Sequence, residues 1–270
     1  MNTKFIVNDY LLIWCLLFQT SISEDMYKLK QKLWKTYKEE YNITYKDKID
    51  IVKDYKNFIP DNDTIYNIIL DNKDYETVKK QAEKYRIEIM KLWDNNSKYT
   101  TNLIKKIIRM DIPEYTFFVI NKDFNTIEQP INGSIILGKE INKEKKLNII
   151  YEILMHVVLN NLKKYKEEYH NFKKAIVELA ILNEYATMIN KKSYYISGNP
   201  RLLSLKRWIY PYWLMYLGVP ENDLYTYMMR DKIAYDADKY EYNKDLKKLN
   251  LEEFIDYCIE NKDKIVQEII

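Results

Sequence analysis

Histidine is almost missing: His156 and His170 are the only two in 270 residues, fourteen apart. That excludes the H-E-x-x-H zinc motif, which needs two histidines four apart on one helix face. Cysteine is equally scarce. Cys15 and Cys258 form no C-x-x-C pair, so a thiolate zinc site and a disulfide framework are both ruled out, and a reducing cytoplasm is the simpler setting. Only four Gly and six Pro leave little punctuation, which favours long helices over an all-β fold. Walker A, G-x-G-x-x-G and G-x-S-x-G are absent too. Asp236-x-Asp238 lacks the central Gly and final Glu of a calcium loop. No charge of one sign dominates: 43 Lys+Arg against 40 Asp+Glu gives +3, too little to argue for nucleic acid or an anionic membrane.

No apolar run reaches the roughly 20 residues of a membrane span. The N-terminus has Lys4, the apolar Tyr10–Phe18 and then Q-T-S-I-S, which outlines a signal peptide. Asn8 and Asp9 interrupt that outline. Ser23 followed by Glu24 and Asp25 reads as an N-cap with an acidic first turn. The expectation is an ordinary buried first helix in a cytoplasmic protein, with secretion as the minor alternative.

What is present is mostly helix. The chain is 47% hydrophobic and 31% charged, ordinary for a globular protein. Its 26 Tyr, with much Lys, Asn and Ile, match the codon bias of an AT-rich genome and are treated as background. Residues 1–110 form a helical N-terminal region. Within it Asp9–Phe18, Glu24–Tyr41, Tyr45–Tyr55, Ile65–Leu70, Tyr75–Trp93 and Thr101–Met110 are expected helices. Turns are expected at Phe58–Thr64 and at the D-N-N-S run Asp94–Ser97. Residues 111–190 hold a small sheet and two core helices. Tyr115–Ile120 and Ser134–Leu137 read as strands, separated by a polar loop, Asn121–Gly133. Lys139–Lys146 is a charged lead-in. Residues 191–270 form a helical C-terminal region, in which Pro211 must kink or break Leu202–Leu217. With no repeat or low-complexity linker, the reading is one compact domain, 1–270, mainly α with a small β-sheet (α+β).

Chemistry concentrates in Leu147–Leu162, L-N-I-I-Y-E-I-L-M-H-V-V-L-N-N-L. Glu152 and His156 sit in its middle, four apart and therefore on one face. Burying an unpaired polar group there would cost of order 2–7 kcal/mol, and a charge more. The second apolar helix, Phe172–Asn190, carries Glu178, Asn183 and Glu184. Glu178 and Glu184 are six apart, about 600° round a helix, so they do not share a face. Glu184 is the expected inward residue, with Glu178 as the alternative ligand. Two readings follow. In one, Glu152 acts as general base while His156, Glu184 and His170 hold zinc, manganese or iron. In the other, Glu152 and His156 bond each other or the facing helix and are structural.

Two strands, an apolar helix with a central acid and His, and a second helix with N-E-x-A at Asn183–Ala186 resemble the zincin metallopeptidase plan, in its gluzincin branch. The resemblance covers roughly residues 115–190. It implies that Glu152 keeps the general-base position and that Glu184 matches the third ligand. It also implies that Tyr151 and Met155 stand where the family has its two zinc-binding histidines, with His156 one residue beyond. The expectation is a zincin-like protein, catalytically degenerate or with a non-standard metal site. The alternative is a non-enzymatic, helical protein-interaction or regulatory protein with a protein or peptide partner. Tyr210–Tyr216, beside Arg201, Lys206 and Arg207, mixes aromatic and basic residues as single-strand binders do, but its spacing favours a core helix.

Overall fold

A computed structural model describes residues 3–19, 23–42, 65–124, 127–131, 134–138, 146–190, 196, 198–230, 233 and 240–266. The expected helix Tyr45–Tyr55, the turn Phe58–Thr64, the lead-in before Lys146 and Asp236-x-Asp238 lie outside them. The chain is mainly α with a small β-sheet, as its residue pattern predicts. It divides into two compact units: Met1–Asn95 with Pro113–Ile150, and Asn96–Ile112 with Tyr151–Ile270.

The first unit begins with strand β1 (Thr3–Ile6) and helices α1 (Asp9–Phe18), α2 (Glu24–Thr36), α3 (Ile65–Leu70) and α4 (Lys73–Asn102, to Asn95 in this unit). Asn8 caps α1 by accepting the Leu11 N–H at 2.9 Å. Six α1 residues, Leu11, Leu12, Ile13, Cys15, Leu16 and Leu17, are fully buried, so this helix is core. Ser23 caps α2 as expected, accepting the Met26 N–H at 3.3 Å. The α4 positions Val78, Ala82, Tyr85, Ile89 and Trp93 are all buried, the stripe their spacing requires.

Strands β2 (Tyr115–Val119), β3 (Ile127–Ile131) and β4 (Ser134–Leu137) complete a sheet of order β1-β2-β4-β3. β1, β2 and β4 run parallel, with Phe5 opposite Phe117 and Phe117 opposite Ile135; β3 is antiparallel to β4. β2 and β4 match the expected strands. β1 and β3 do not follow from local pattern. β1 is four residues long and pairs with a partner more than a hundred residues away. β3 carries Pro130 inside the expected loop, and an edge strand tolerates a residue that cannot donate to a ladder. The Phe5 ring stacks on Phe117 with centroids 5.0 Å apart, and Trp93 meets Phe5 edge-on at 6.0 Å.

The expected break at Asp94–Ser97 is corrected: α4 runs through it unbroken for 30 residues. Asn96 and Thr100 are buried on the continuing helix, so packing overrides the turn-forming composition.

The second unit opens at Asn96 with the end of α4, which widens into a π-helical segment, Leu103–Ile108, that ends at Arg109 with φ +56°. It continues with α5 (Lys146–Asn161, from Tyr151 in this unit), α6 (His170–Glu178), a second π-helical segment (Leu179–Tyr185) and α7 (Ala186–Asn190). α8 (Leu203–Leu217), α9 (Leu224–Arg230), α10 (Leu251–Glu260) and α11 (Lys262–Ile265) follow. The two π segments pack on each other. α8 is not broken at Pro211. It carries the proline inside its length, and Ile209 to Tyr216 are all buried, which identifies a core helix. α10 starts in a full capping box between Asn250 and Glu253.

Arg109 ties this unit together. Its guanidinium donates to the Lys247, Leu249 and Tyr216 carbonyls at 2.6, 2.9 and 3.1 Å and stacks 4.5 Å from the Tyr216 ring centre. The Tyr216 hydroxyl donates in turn to the Ile107 carbonyl. Arg109→Ala is expected to lose about 2–4 kcal/mol in urea unfolding, since charged donors contribute about 1.5–3 kcal/mol each before solvent screening. Arg109→Lys is expected to recover under half of that loss, because one ammonium lacks the planar fork. A loss below about 1 kcal/mol in Arg109→Ala would contradict the role assigned to these bonds.

Candidate functional site

α5 is helical because Ile150, Ile153, Leu154, Val157 and Val158 recur at three- and four-residue spacing, and all five are buried. Glu152 and His156 lie off that stripe and are half-buried. The expectation of two polar groups sunk in the core is therefore corrected, and the full desolvation cost does not arise. The stretch is so uniformly apolar that hydropathy alone did not mark which face turns inward.

Tyr151, one of the positions where the zincin resemblance places a zinc histidine, packs its ring edge-on against Tyr185 at 6.0 Å. Its hydroxyl accepts from the Asn190 side chain at 3.4 Å. Tyr185 shares a 3.0 Å hydrogen bond with Thr100, and burial pushes its phenol up to about 12. The Tyr185 hydroxyl thus stays protonated at any ordinary pH.

The two glutamates of the next helix exchange the roles expected for them. Glu178 is the buried one. Its Oε2 accepts from Lys206 Nζ at 2.6 Å and from the Asn199 backbone N–H at 3.1 Å. The side chains of Lys206 and Glu178 are 0% and 6% exposed, which makes this a fully desolvated ion pair. Glu184 is half-buried and accepts from the Trp213 indole N–H at 3.1 Å. Glu178 ends α6 and Glu184 lies within the π-helical Leu179–Tyr185, which is wound more widely than an α-helix.

His170 is exposed at the first residue of α6. Glu152 and His156 share the half-buried face of α5, Glu184 turns to Trp213, and Glu178 turns to Lys206. Among the described residues no three His, Cys, Asp or Glu side chains are disposed to hold a metal ion. Both cysteines are buried free thiols, with pKa values raised by burial.

Pattern reading did not assign Lys206, Gly198 or Trp213 to this site; it named Lys206 only as a basic residue beside Tyr210–Tyr216. A signal for the first existed: Lys206 interrupts an apolar helix just as Glu178 interrupts another, and two buried opposite charges require each other. Gly198 is one of only four glycines in the chain. Comparison with protein-family models, with curated proteins and with solved structures found no match.

Proposed function

We propose that this chain is a non-catalytic binding protein built on a zincin-like arrangement of helices, and that it recognises a protein or peptide partner in the cytoplasm. One observation carries the reading. Two positions that the resemblance assigns to metal ligands, Tyr151 and Glu184, are engaged by Tyr185, Asn190 and Trp213. If the resemblance holds, aromatic packing and hydrogen bonds occupy positions that a peptidase gives to its metal ligands. Fold analogy alone does not fix activity, and the residues decide. The two buried, unpaired thiols suit a reducing compartment. Among the described residues no helix is long and apolar enough to cross a membrane.

Metal content tests this directly. Protein expressed with added zinc, manganese and iron, then dialysed, is expected to carry far less than one ion per chain by mass spectrometry. Glu152→Gln and His156→Ala are expected to leave that content unchanged. One retained equivalent, lost in either variant, would overturn the reading and restore the metal-dependent hydrolase.

A further inference from the structure

A cleft of about 500 Å³ opens between α8, the Glu241–Asp245 segment and the α10–α11 junction. That volume lies in the range of small-molecule and short-peptide sites, roughly 300–1,000 Å³. Tyr212, Tyr242 and Tyr257 line it, with Tyr212 and Tyr257 tilted and 6.2 Å apart between ring centres. The Tyr242 hydroxyl is tied to the Val219 carbonyl at 2.8 Å, which fixes that wall. Asn261 spends its amide N–H on the Tyr257 carbonyl at 2.9 Å, leaving its carbonyl oxygen as an acceptor.

Charge decides the ligand class. Asp245 pairs with Lys248 at 2.7 Å on the exposed rim. Lys244, Lys264 and Glu241 line the cleft, are exposed, and form no ion pair with a described residue. Counting Lys248 with Asp245, three cations at and beside the cleft stand against two anions, Glu241 and Asp245. Burial raises the phenol pKa values of Tyr212, to about 12, and Tyr257, so both rings stay neutral beside an anionic ligand. An aromatic wall, amide groups and a cationic excess match a ring flanked by carboxylates along a peptide backbone.

Resting on the binding-protein reading above, we infer that this cleft takes a short acidic peptide segment carrying an aromatic side chain. The ring packs on the half-buried Tyr257 and Tyr242 above the buried Tyr212, the flanking carboxylates meet Lys244 and Lys264, and a backbone N–H of the peptide donates to Asn261.

The probe is acetyl-Asp-Phe-Asp-amide, titrated into the full-length protein and followed by backbone amide NMR. Saturable shifts centred on Tyr242–Asp245 and Asn261–Lys264 are expected. Lys264→Glu, a change at an exposed position, is expected to weaken binding about tenfold, the size of a 1.4 kcal/mol contact. Acetyl-Lys-Phe-Lys-amide is expected to bind at least tenfold more weakly, by the same conversion. Absence of saturable shifts would overturn the inference, as would equal affinity for the lysine peptide or indifference to Lys264→Glu. Benzoate binding as tightly as the peptide would make this a small-acid site and equally overturn it. Metal content is independent of this titration, so failure here leaves the non-catalytic reading standing, and the converse holds.

Discussion

Glu178→Ala is expected to lower the unfolding free energy by about 3–5 kcal/mol, because it breaks a buried ion pair by removing the carboxylate that faces Lys206. Lys206 is wholly enclosed, and its ammonium sits 2.6 Å from Glu178. Removing the carboxylate leaves that charge in a low-dielectric interior and also deprives the Asn199 N–H of its acceptor. Against a total stability of about 5–15 kcal/mol, such a loss is large. The pair itself contributes less than its rupture costs. The double variant Glu178→Leu with Lys206→Met is therefore expected to fall within about 2 kcal/mol of the natural chain, since apolar replacement of a whole buried pair is often neutral or stabilising. Urea denaturation of the four proteins in the cycle measures the coupling. A loss under about 1 kcal/mol in Glu178→Ala would mean that the lysine finds water or another partner.

Gly198→Ala is expected to cost about 2–6 kcal/mol, combining backbone strain of about 1–3 kcal/mol with overpacking of similar size. Gly198 has φ +105°, a conformation that residues with a side chain rarely adopt. A Cβ there would lie 2.5 Å from Glu178 Oε2, 2.7 Å from Leu182 Cδ1 and 3.0 Å from Lys206 Nζ. The methyl group would press directly on the ion pair, so the two substitutions act on one structure and should not add. Gly218→Ala provides the contrast. Gly218 also has positive φ, +84°, as the C-cap of α8, but its nearest neighbour is a Lys247 side-chain carbon at 3.8 Å. It is expected to cost only about 1–2 kcal/mol, the ordinary strain of a left-handed residue. Equal losses at the two glycines in thermal or urea unfolding would show that crowding at Gly198 is relieved by movement.

Residue pattern located α1, α2, α3, α5 and the stripe of α4 because each is amphipathic or apolar over a helix length, and Ser23 marked the start of α2. It located β2 and β4 because aromatic and β-branched residues cluster there. It could not locate β1 or β3, whose existence depends on a neighbouring strand. It also could not see that Asp94–Ser97 stays helical, since turn-forming residues yield wherever their helix is held by burial. The candidate site was legible as a place, α5 and the His170–Asn190 helix, but not as a set of contacts.

What the sequence by itself determined is the chemical inventory: two histidines too far apart for a zinc motif, two unmatched cysteines, and isolated charges inside apolar helices. Those facts bind any fold this chain adopts. Only the tertiary structure decided which charge answers which. Glu178 rather than Glu184 is buried, and its partner is Lys206, beside a position where only glycine at 198 fits. Pairing of that kind depends on distance in space. Periodicity along the chain reports which face a residue occupies, and the partner on the opposing element is chosen by packing.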